Sequence, residues 1–266
     1  MAKAICGILL LSSMSHGLMA QNPTDAKGAG PGFAVATIKL SNPDAAGKGI
    51  TVLPGGRRLQ ARNYSLADLI TVALTVHPGQ IAGGPAWIKT ERYDVVAERE
   101  DETTVTLEQW RALLAKLLAD RFKLSFHHAK RELSVYTITV GKLTPKLAPS
   151  TGDPAGLYSF GFRGFGILMF ANGNLDEFAS SFGITVMDRP VVNRTGLTGR
   201  YDLTLNWRPD EFQSNNFGAT LPDPPANDSR PDVFTAFQQQ LGLKLESAKG
   251  PVDIVVIDHA EHPSEN

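Results

Sequence analysis

Apolar residues recur along the chain with two periods, which predicts short strands interleaved with amphipathic helices. The stretch FAVATIKL at 33–40 alternates apolar and polar residues, as a half-buried strand does. The clearest helical stripe runs from Trp110 to Phe122, where apolar residues return every three or four positions. The other predicted strands lie at 57–62, 80–82, 92–98, 123–128, 133–140, 167–171, 190–193, 200–207, 243–247 and 252–258.

Capping residues predict where the helices begin. A capping box places a side-chain acceptor and its reciprocal partner three residues apart. Three pairs have this spacing: Ser65 and Asp68, Thr106 and Gln109, Asn174 and Glu177. A fourth helix is predicted after Asp232, with Val233, Phe234, Phe237 and Leu241 inside.

The second half of the chain repeats the order of the first. Arg92-Tyr93-Asp94 corresponds to Arg200-Tyr201-Asp202, and an asparagine precedes each at nearly equal spacing (Asn63 and Asn172). Lys123-Leu124 and Lys244-Leu245 each follow a predicted helix. We therefore predict an α+β fold of two duplicated lobes. Each lobe is a mostly antiparallel sheet with two helices on one face, in the order strand, helix, hairpin, helix, hairpin.

The predicted organisation follows from these patterns and from the Gly- and Pro-rich stretches between them. It comprises a signal peptide (1–20), a flexible leader (21–32), a first α+β lobe (33–141), a Gly/Pro-rich junction (142–165), a second α+β lobe (166–259) and a tail (260–266).

The N-terminus has the pattern of a bacterial export signal. Lys3 precedes a short apolar run at 5–11, and small residues lead to Ala20. The run is too short to cross a bilayer, so we expect an exported protein, periplasmic or extracellular, without a transmembrane anchor. The single cysteine, Cys6, lies inside the signal. Disulfides, thiolate zinc sites and cysteine nucleophiles are therefore excluded from the mature chain.

Composition narrows the class of protein further. The 266 residues are 42% hydrophobic and 20% charged, which excludes wholesale disorder. The net charge is −1 and no block of basic residues occurs, so the sequence gives no support for nucleic-acid binding.

The common catalytic patterns are missing from the sequence. Gly-x-Ser-x-Gly, His-Glu-x-x-His and a Walker-type glycine loop do not occur. His127 and His128 lie in a predicted strand, where neighbouring side chains point to opposite faces. His259 and His262 lie near the chain end, where Pro263 favours a loose tail. We therefore predict no catalytic residue, no metal site and no cofactor.

Two patterns remain as candidates for contact with a ligand or partner. The paired Arg-Tyr-Asp motifs have a structural interpretation, which we favour, in which the tyrosines pack in the core while the charges hold the preceding turns. The aromatic run at 157–170 indicates either a buried strand, the interpretation we favour, or an exposed contact surface. The candidate binding residues are Trp87, Arg92, Asp94, Arg200, Asp202, Phe162, Arg163 and Phe165.

Several stretches resemble an acidobacterial-type secreted protein family of unknown function, whose domain is also found fused to membrane metallopeptidase sensors. The matching stretches lie at 33–40, 81–95, 117–140, 190–207 and 241–266. The chain departs from the family pattern at Asn193, where aspartate is usual, and at Ser134, where proline is usual. The family has no established activity, so the resemblance implies no catalytic residues.

The expected function is a non-catalytic periplasmic or cell-surface module that binds a protein, a peptide or an envelope glycan. Small mixed sheets offer edges that accept a partner strand, and two lobes form a cleft. The alternative is an envelope hydrolase with an unrecognised carboxylate or histidine site. A sensory domain that acts through a separate partner is a third interpretation. An enzyme should show a deep pocket with at least two titratable groups, whereas a binding module should show an open sheet edge.

Overall fold

The computed structural model describes residues 33–45, 47–52, 57–99, 105–210, 213 and 227–263. The predicted signal peptide and leader lie outside the described residues. Within these ranges the chain is an α+β protein with three four-stranded sheets and five α-helices.

The first half of the chain supplies six strands and three helices. In chain order they are β1 (Val35–Leu40), β2 (Gly49–Val52), β3 (Arg58–Tyr64), α1 (Leu66–Leu74), β4 (Ile81–Gly83), α2 (Trp87–Thr90), β5 (Tyr93–Glu98), α3 (Leu107–Phe122) and β6 (Ser125–Val140).

The second half supplies six strands and two helices. They are β7 (Ala148–Pro149), β8 (Ser159–Gly164), β9 (Ile167–Gly173), α4 (Leu175–Thr185), β10 (Val191–Asn193), β11 (Tyr201–Asn206), α5 (Val233–Ala236) and β12 (Leu243–His259). A π-helical turn, Phe237–Leu241, connects α5 to β12.

The two outer sheets have the same strand order. The first sheet runs β1-β5-β3-β2 and the third runs β7-β11-β9-β8, and all neighbours in both are antiparallel. The central sheet runs β10-β6-β12-β4. There β6 and β12 pair antiparallel over almost their whole length, while β4 lies parallel to β12 and β10 parallel to β6.

The two hairpins predicted at 123–140 and 243–258 are wrong, because each segment forms one long strand. No turn residue interrupts the first segment at Ala129–Glu132. The two halves of β6 do not pair with each other, because both pair with β12. Strand β12 continues through Gly250-Pro251, where the sequence predicts a break between two strands. Proline is tolerated there because β4 pairs only with Val255–Ile257, which leaves one side of Pro251 without a strand neighbour among the described residues.

Two aromatic and aliphatic cores lie at opposite ends of this central pair of strands. The first packs α1, α3 and the first sheet around residues such as Leu69, Leu114 and Phe122. The second packs α4, the π-helical turn and the third sheet around Phe178 and Phe182. Strands β6 and β12 contribute to both cores, so the described residues form one compact unit rather than separable bodies.

The predicted helix starts are confirmed at the three capping boxes. Ser65, Thr106 and Asn174 each accept the backbone N–H three residues on, and the reciprocal bond is present in each case. Asp232 also caps its helix. Helix α3 ends at Lys123 and the π-helical turn at Gly242, both in the left-handed region. Lys123 and Gly242 thus occupy the same position at the end of a helical segment, whereas Lys244, which the sequence pattern matches to Lys123, lies two residues further on in β12.

Four elements were absent from the sequence prediction. Strand β2 lies in a stretch that reads as a loop, and α2 is a single turn between β4 and β5. Strands β7 and β8 lie in the segment predicted as a Gly/Pro-rich junction, where they form the two edges of the third sheet.

Candidate functional site

Strand β8 forms an outer edge of the third sheet. It pairs with β9 on one side, and on the other side it has no strand neighbour among the described residues. Such an edge leaves every second N–H and C=O group available for another chain. Three side chains flank this edge and are exposed: Phe162, Arg163 and Phe165. We call this group the β8 surface.

An aromatic row runs from the second core outward to the β8 surface. The ring of Phe178 lies 5.3 Å from Phe170, which lies 6.4 Å from Phe160, and Phe160 lies 5.7 Å from Phe162. Burial falls along this row, since Phe170 is 1% exposed and Phe162 is 50% exposed. The ring of Phe162 is thus supported by the ring of Phe160, while the rest of its surface is exposed to solvent.

The turn after β8 is held in place by an arginine from a distant segment. Nη1 of Arg230 donates a 2.6 Å hydrogen bond to the carbonyl oxygen of Phe165. Arg230 is itself paired with Asp228 at 2.7 Å, and this bond lowers the pKa of Asp228 to about 2. Phe165, 44% exposed, is therefore presented from a backbone that is anchored at its carbonyl.

The favoured sequence interpretation of the aromatic run as buried is correct for Phe170 but wrong for Phe162 and Phe165. Alternation places Phe160 and Phe162 on the same face of β8, but only Phe160 packs against the second core. Strand β8 is the last strand of its sheet. The aromatic row therefore extends past the second core, and its outermost ring, Phe162, is left exposed.

The first Arg-Tyr-Asp motif is occupied by contacts within the chain. Asp94 accepts the backbone N–H of Asn63 at 2.9 Å and the hydroxyl of Ser41 at 2.7 Å. Asn63 has a φ of 59°, so the carboxylate holds a left-handed corner at the end of β3. Arg92 donates to the helix-capping carboxylate of Asp68 at 2.9 Å.

The second motif has the same arrangement. Asp202 accepts the N–H of Asn172 at 2.8 Å, and the φ of Asn172 is 55°. That backbone bond, with a second from the Ser150 hydroxyl, lowers the pKa of Asp202 below its usual value. Arg200 donates to the carbonyl oxygens of Gly156 and Asn172. The charged side chains of both motifs are thus engaged by nearby backbone groups and, for Arg92, by a helix-capping side chain.

Trp87 lies where the end of the described chain docks onto the first core. Its ring stacks on that of His262 at 4.2 Å, and His262 lies 3.1 Å from the Glu91 carboxylate. The N–H of Glu261 donates to the carbonyl of Phe122 at 2.7 Å. The loose tail expected from Pro263 is therefore wrong for residues 260–262, which are fixed by these contacts.

Of the eight predicted binding residues, the structure brings together Phe162, Arg163 and Phe165. Arg92 and Asp94 lie in and beside the first sheet, whereas Arg200 and Asp202 lie in and beside the third. Trp87 lies on α2 against the first core. These five residues therefore do not form one site with the β8 surface.

A buried histidine was missed by the sequence analysis. His77 lines a cavity of about 260 Å³ that also contains Asp176 and Asp253. Nδ1 accepts the N–H of Gly79 at 2.9 Å, so Nε2 carries the proton and faces the carbonyl of Met187 at 3.3 Å. Both ring nitrogens are thus used by backbone groups. Burial lowers the pKa of His77 below its usual value.

This lowered pKa predicts a pH dependence of stability. Below about pH 6.5, the ordinary histidine value, the unfolded chain binds a proton that the folded chain does not. The free energy of unfolding should therefore fall from pH 6.5 to pH 5, by up to about 1.4 kcal/mol per pH unit from this group. The variant His77→Asn retains an acceptor for Gly79 and should show a shallower slope in urea denaturation across that range. The control His128→Asn makes the same substitution at an exposed histidine. A slope in His77→Asn that is no shallower than in this control would contradict the assignment.

Within the described ranges, no three His, Cys, Asp or Glu side chains gather closely enough to hold a metal ion. No helix of the described part has the length and hydrophobicity needed to cross a membrane.

These observations describe an α+β protein in which the aromatic strand β8 has one strand neighbour in the described part of the chain. Residues 67–260 match the family described as a protein of unknown function, DUF3738, and the chain belongs to this family. The expected membership of a family of unknown function is thereby confirmed, while the acidobacterial origin and the fusion to metallopeptidase sensors stay predictions. No curated protein and no solved structure matches the chain.

Proposed function

We propose that the protein is an exported binding module whose β8 surface accepts an extended segment of a partner protein. The observation that carries the proposal is the edge of β8 that has no strand neighbour among the described residues and is flanked by exposed Phe162 and Phe165. Strand addition obtains affinity from backbone hydrogen bonds and specificity from alternate side chains. Both components are available at this edge.

The aromatic side chains supply the anchoring part of the surface. Aromatic residues are enriched among the residues that dominate binding energy, because a large rigid ring is buried at little entropic cost. The ring of Phe162 already packs against Phe160, so a partner side chain needs to cover only the remaining exposed part of the ring. We therefore expect apolar residues of the partner to pack against Phe162 and Phe165.

Arg163 indicates the charge of the partner segment. It is exposed, and among the described residues it has no hydrogen-bond or ion-pair partner. An arginine pairs well with a carboxylate through two parallel hydrogen bonds. The favoured partner segment is thus an extended peptide with apolar residues on either side of an aspartate or glutamate. Binding of an envelope glycan instead is one outcome of the test below.

Two further proposals concern the origin and location of the protein. The shared strand order of the outer sheets and the matching corners at Asn63 and Asn172 support a duplication, with lobes at 33–141 and 166–259 joined through 142–165. The pattern of Lys3 and the following apolar run supports export to the periplasm or the cell exterior.

Selection of peptides tests the binding proposal. A library of random peptides displayed on phage is panned against the purified protein, and enriched peptides are titrated against variants. The double variant Phe162→Ala/Phe165→Ala should weaken binding at least tenfold, because it removes both anchors. The variant Leu40→Ala is the matched control, since Leu40 is 68% exposed on β1.

The selected sequences and the variants together decide the outcome. The proposal expects enriched peptides that contain an acidic residue between apolar ones and that bind Leu40→Ala as tightly as wild type. Equal binding to the double variant, or binding of envelope glycans but of no peptide, would overturn it.

A further inference from the structure

A second cavity, of about 270 Å³, lies between the two halves of the chain. It is bounded by β2, by α1, by the second turn of α3, by the start of β8 and by the C-terminal part of α4. Its volume lies near the lower limit of small-molecule sites, about 300–1,000 Å³. The cavity does not include Phe162, Arg163 or Phe165, so it is distinct from the β8 surface.

Two polar groups that line this cavity lack a partner. Thr71 is 6% exposed, and within the described ranges its hydroxyl oxygen has no hydrogen-bond partner. Nε of Arg111 is also buried without an acceptor, and among the described residues Arg111 makes no ion pair. A buried polar group left unsatisfied is costly, and a charged one more so. Because leaving both groups unsatisfied is unfavourable, we infer that a hydrogen-bond acceptor of a bound molecule pairs with them.

The rest of the wall is largely apolar. Phe160 and Ile184 face the cavity, and the hydroxyl groups of Tyr158 and Ser181 are already paired with each other at 3.2 Å. A hydrated inorganic anion would lose its water against such walls without replacement. The lining therefore suits a molecule with one anionic end and an apolar body.

We propose that this cavity binds a small monocarboxylate with a hydrocarbon body, of the class of medium-chain fatty acids. The carboxylate accepts hydrogen bonds from the guanidinium of Arg111 and from the hydroxyl of Thr71, which satisfies both groups. The hydrocarbon part packs against Phe160 and Ile184. Arginine suits this role because its planar donors match the geometry of a carboxylate. The proposal does not rest on peptide binding at the β8 surface.

Titration of the purified protein with octanoate tests the proposal, at concentrations well below those at which octanoate forms micelles. Binding is followed by isothermal titration calorimetry and by NMR chemical shifts. The comparison ligands are octan-1-ol, which keeps the apolar body without the charge, and inorganic phosphate, which keeps an anion without the body. Arg111→Met keeps the length of the side chain and removes its charge. Thr71→Val keeps the shape of the side chain and removes its hydroxyl.

The control variant is Lys116→Met on the same helix. Lys116 pairs with Asp120 on the exposed side of α3, and neither residue lines the cavity. We expect saturable octanoate binding that Arg111→Met weakens at least tenfold and Thr71→Val at least threefold, with Lys116→Met unchanged. We expect octan-1-ol to bind at least tenfold more weakly than octanoate, and phosphate not to compete.

Several results would overturn the proposal. These are no saturable octanoate binding, equal affinity in Arg111→Met, equal affinity for octan-1-ol, or displacement of octanoate by phosphate at similar concentration. Should Arg111→Met not fold, the Thr71→Val affinity and the comparison of octanoate with octan-1-ol decide. The Arg163→Ala variant changes an exposed residue of the β8 surface that does not line the cavity, so it should bind octanoate as wild type does. The two sites therefore fail or succeed separately.

Discussion

Replacing Phe178 with alanine is expected to destabilise the protein by about 3–5 kcal/mol. The side chain is fully buried at the centre of the second core. Its ring lies 5.3 Å from Phe170, 5.5 Å from Phe182 and 6.0 Å from Phe237. Removing it leaves a cavity among rings that belong to different elements, so a single shift of backbone cannot close the space.

Urea denaturation monitored by tryptophan fluorescence measures this loss. The matched control is Phe162→Ala, the same chemical change at a residue that is 50% exposed, which should cost less than about 1 kcal/mol. Equal losses in the two variants would contradict the placement of Phe178 inside the core and of Phe162 at its exposed end.

Replacing Gly166 with alanine should cost about 3 kcal/mol or more. Gly166 lies in the turn between β8 and β9 with a φ of 66°, a conformation that L side chains rarely adopt. An added Cβ would also stand far inside van der Waals contact of the Trp207 carbonyl oxygen and close to the ring of Pro209. Both the turn and the anchored carbonyl of Phe165 would have to move.

Gly196 separates these two causes. Its φ is 68°, but a Cβ there would have no atom within 4 Å. Gly196→Ala should therefore cost only about 1 kcal/mol, the conformational part alone. Thermal and urea unfolding of the two variants provide the comparison. A Gly166→Ala protein as stable as Gly196→Ala would show that the turn is more open than described.

The parts of the fold that depend on nearby residues were predictable. Helix starts follow from capping residues three positions apart, so Ser65, Thr106 and Asn174 mark them correctly. The strand at 33–40 and the Arg-Tyr-Asp strands follow from alternation, and Tyr93 is buried as expected. In each case the cause of the structure lies within a few residues of its sequence signal.

The parts that depend on distant residues were not predictable. Strand β6 continues through Ala129–Glu132 because β12 pairs with it across more than a hundred residues, and nothing in the local pattern encodes that partner. The short parallel additions of β4 and β10 depend on the same pair of long strands. Strand β8 is rich in glycine, and its position at an edge is decided by β9.

For the candidate site, too, the residues were predictable from the sequence but their surroundings were not. The sequence singled out Phe162, Arg163 and Phe165 by composition, but their exposure depends on where the sheet ends. Thr71 and Arg111 gave no signal, since a threonine and an arginine on amphipathic helices are ordinary. Their importance comes from the way that α1 and α3 meet α4. Sequence periodicity predicts which face a helix buries but not which neighbour covers it.

Hydrogen–deuterium exchange shows whether a bound peptide pairs with the backbone of β8. The purified protein is compared with and without a peptide selected on it, and exchange is followed for each strand by mass spectrometry. Because strand addition gives hydrogen-bond partners to the amides of an edge strand, we expect slower exchange in Ser159–Gly164 on binding, with Val35–Leu40 unchanged. Slower exchange elsewhere, with β8 exchanging as in the free protein, would show that the peptide does not bind by strand addition at β8.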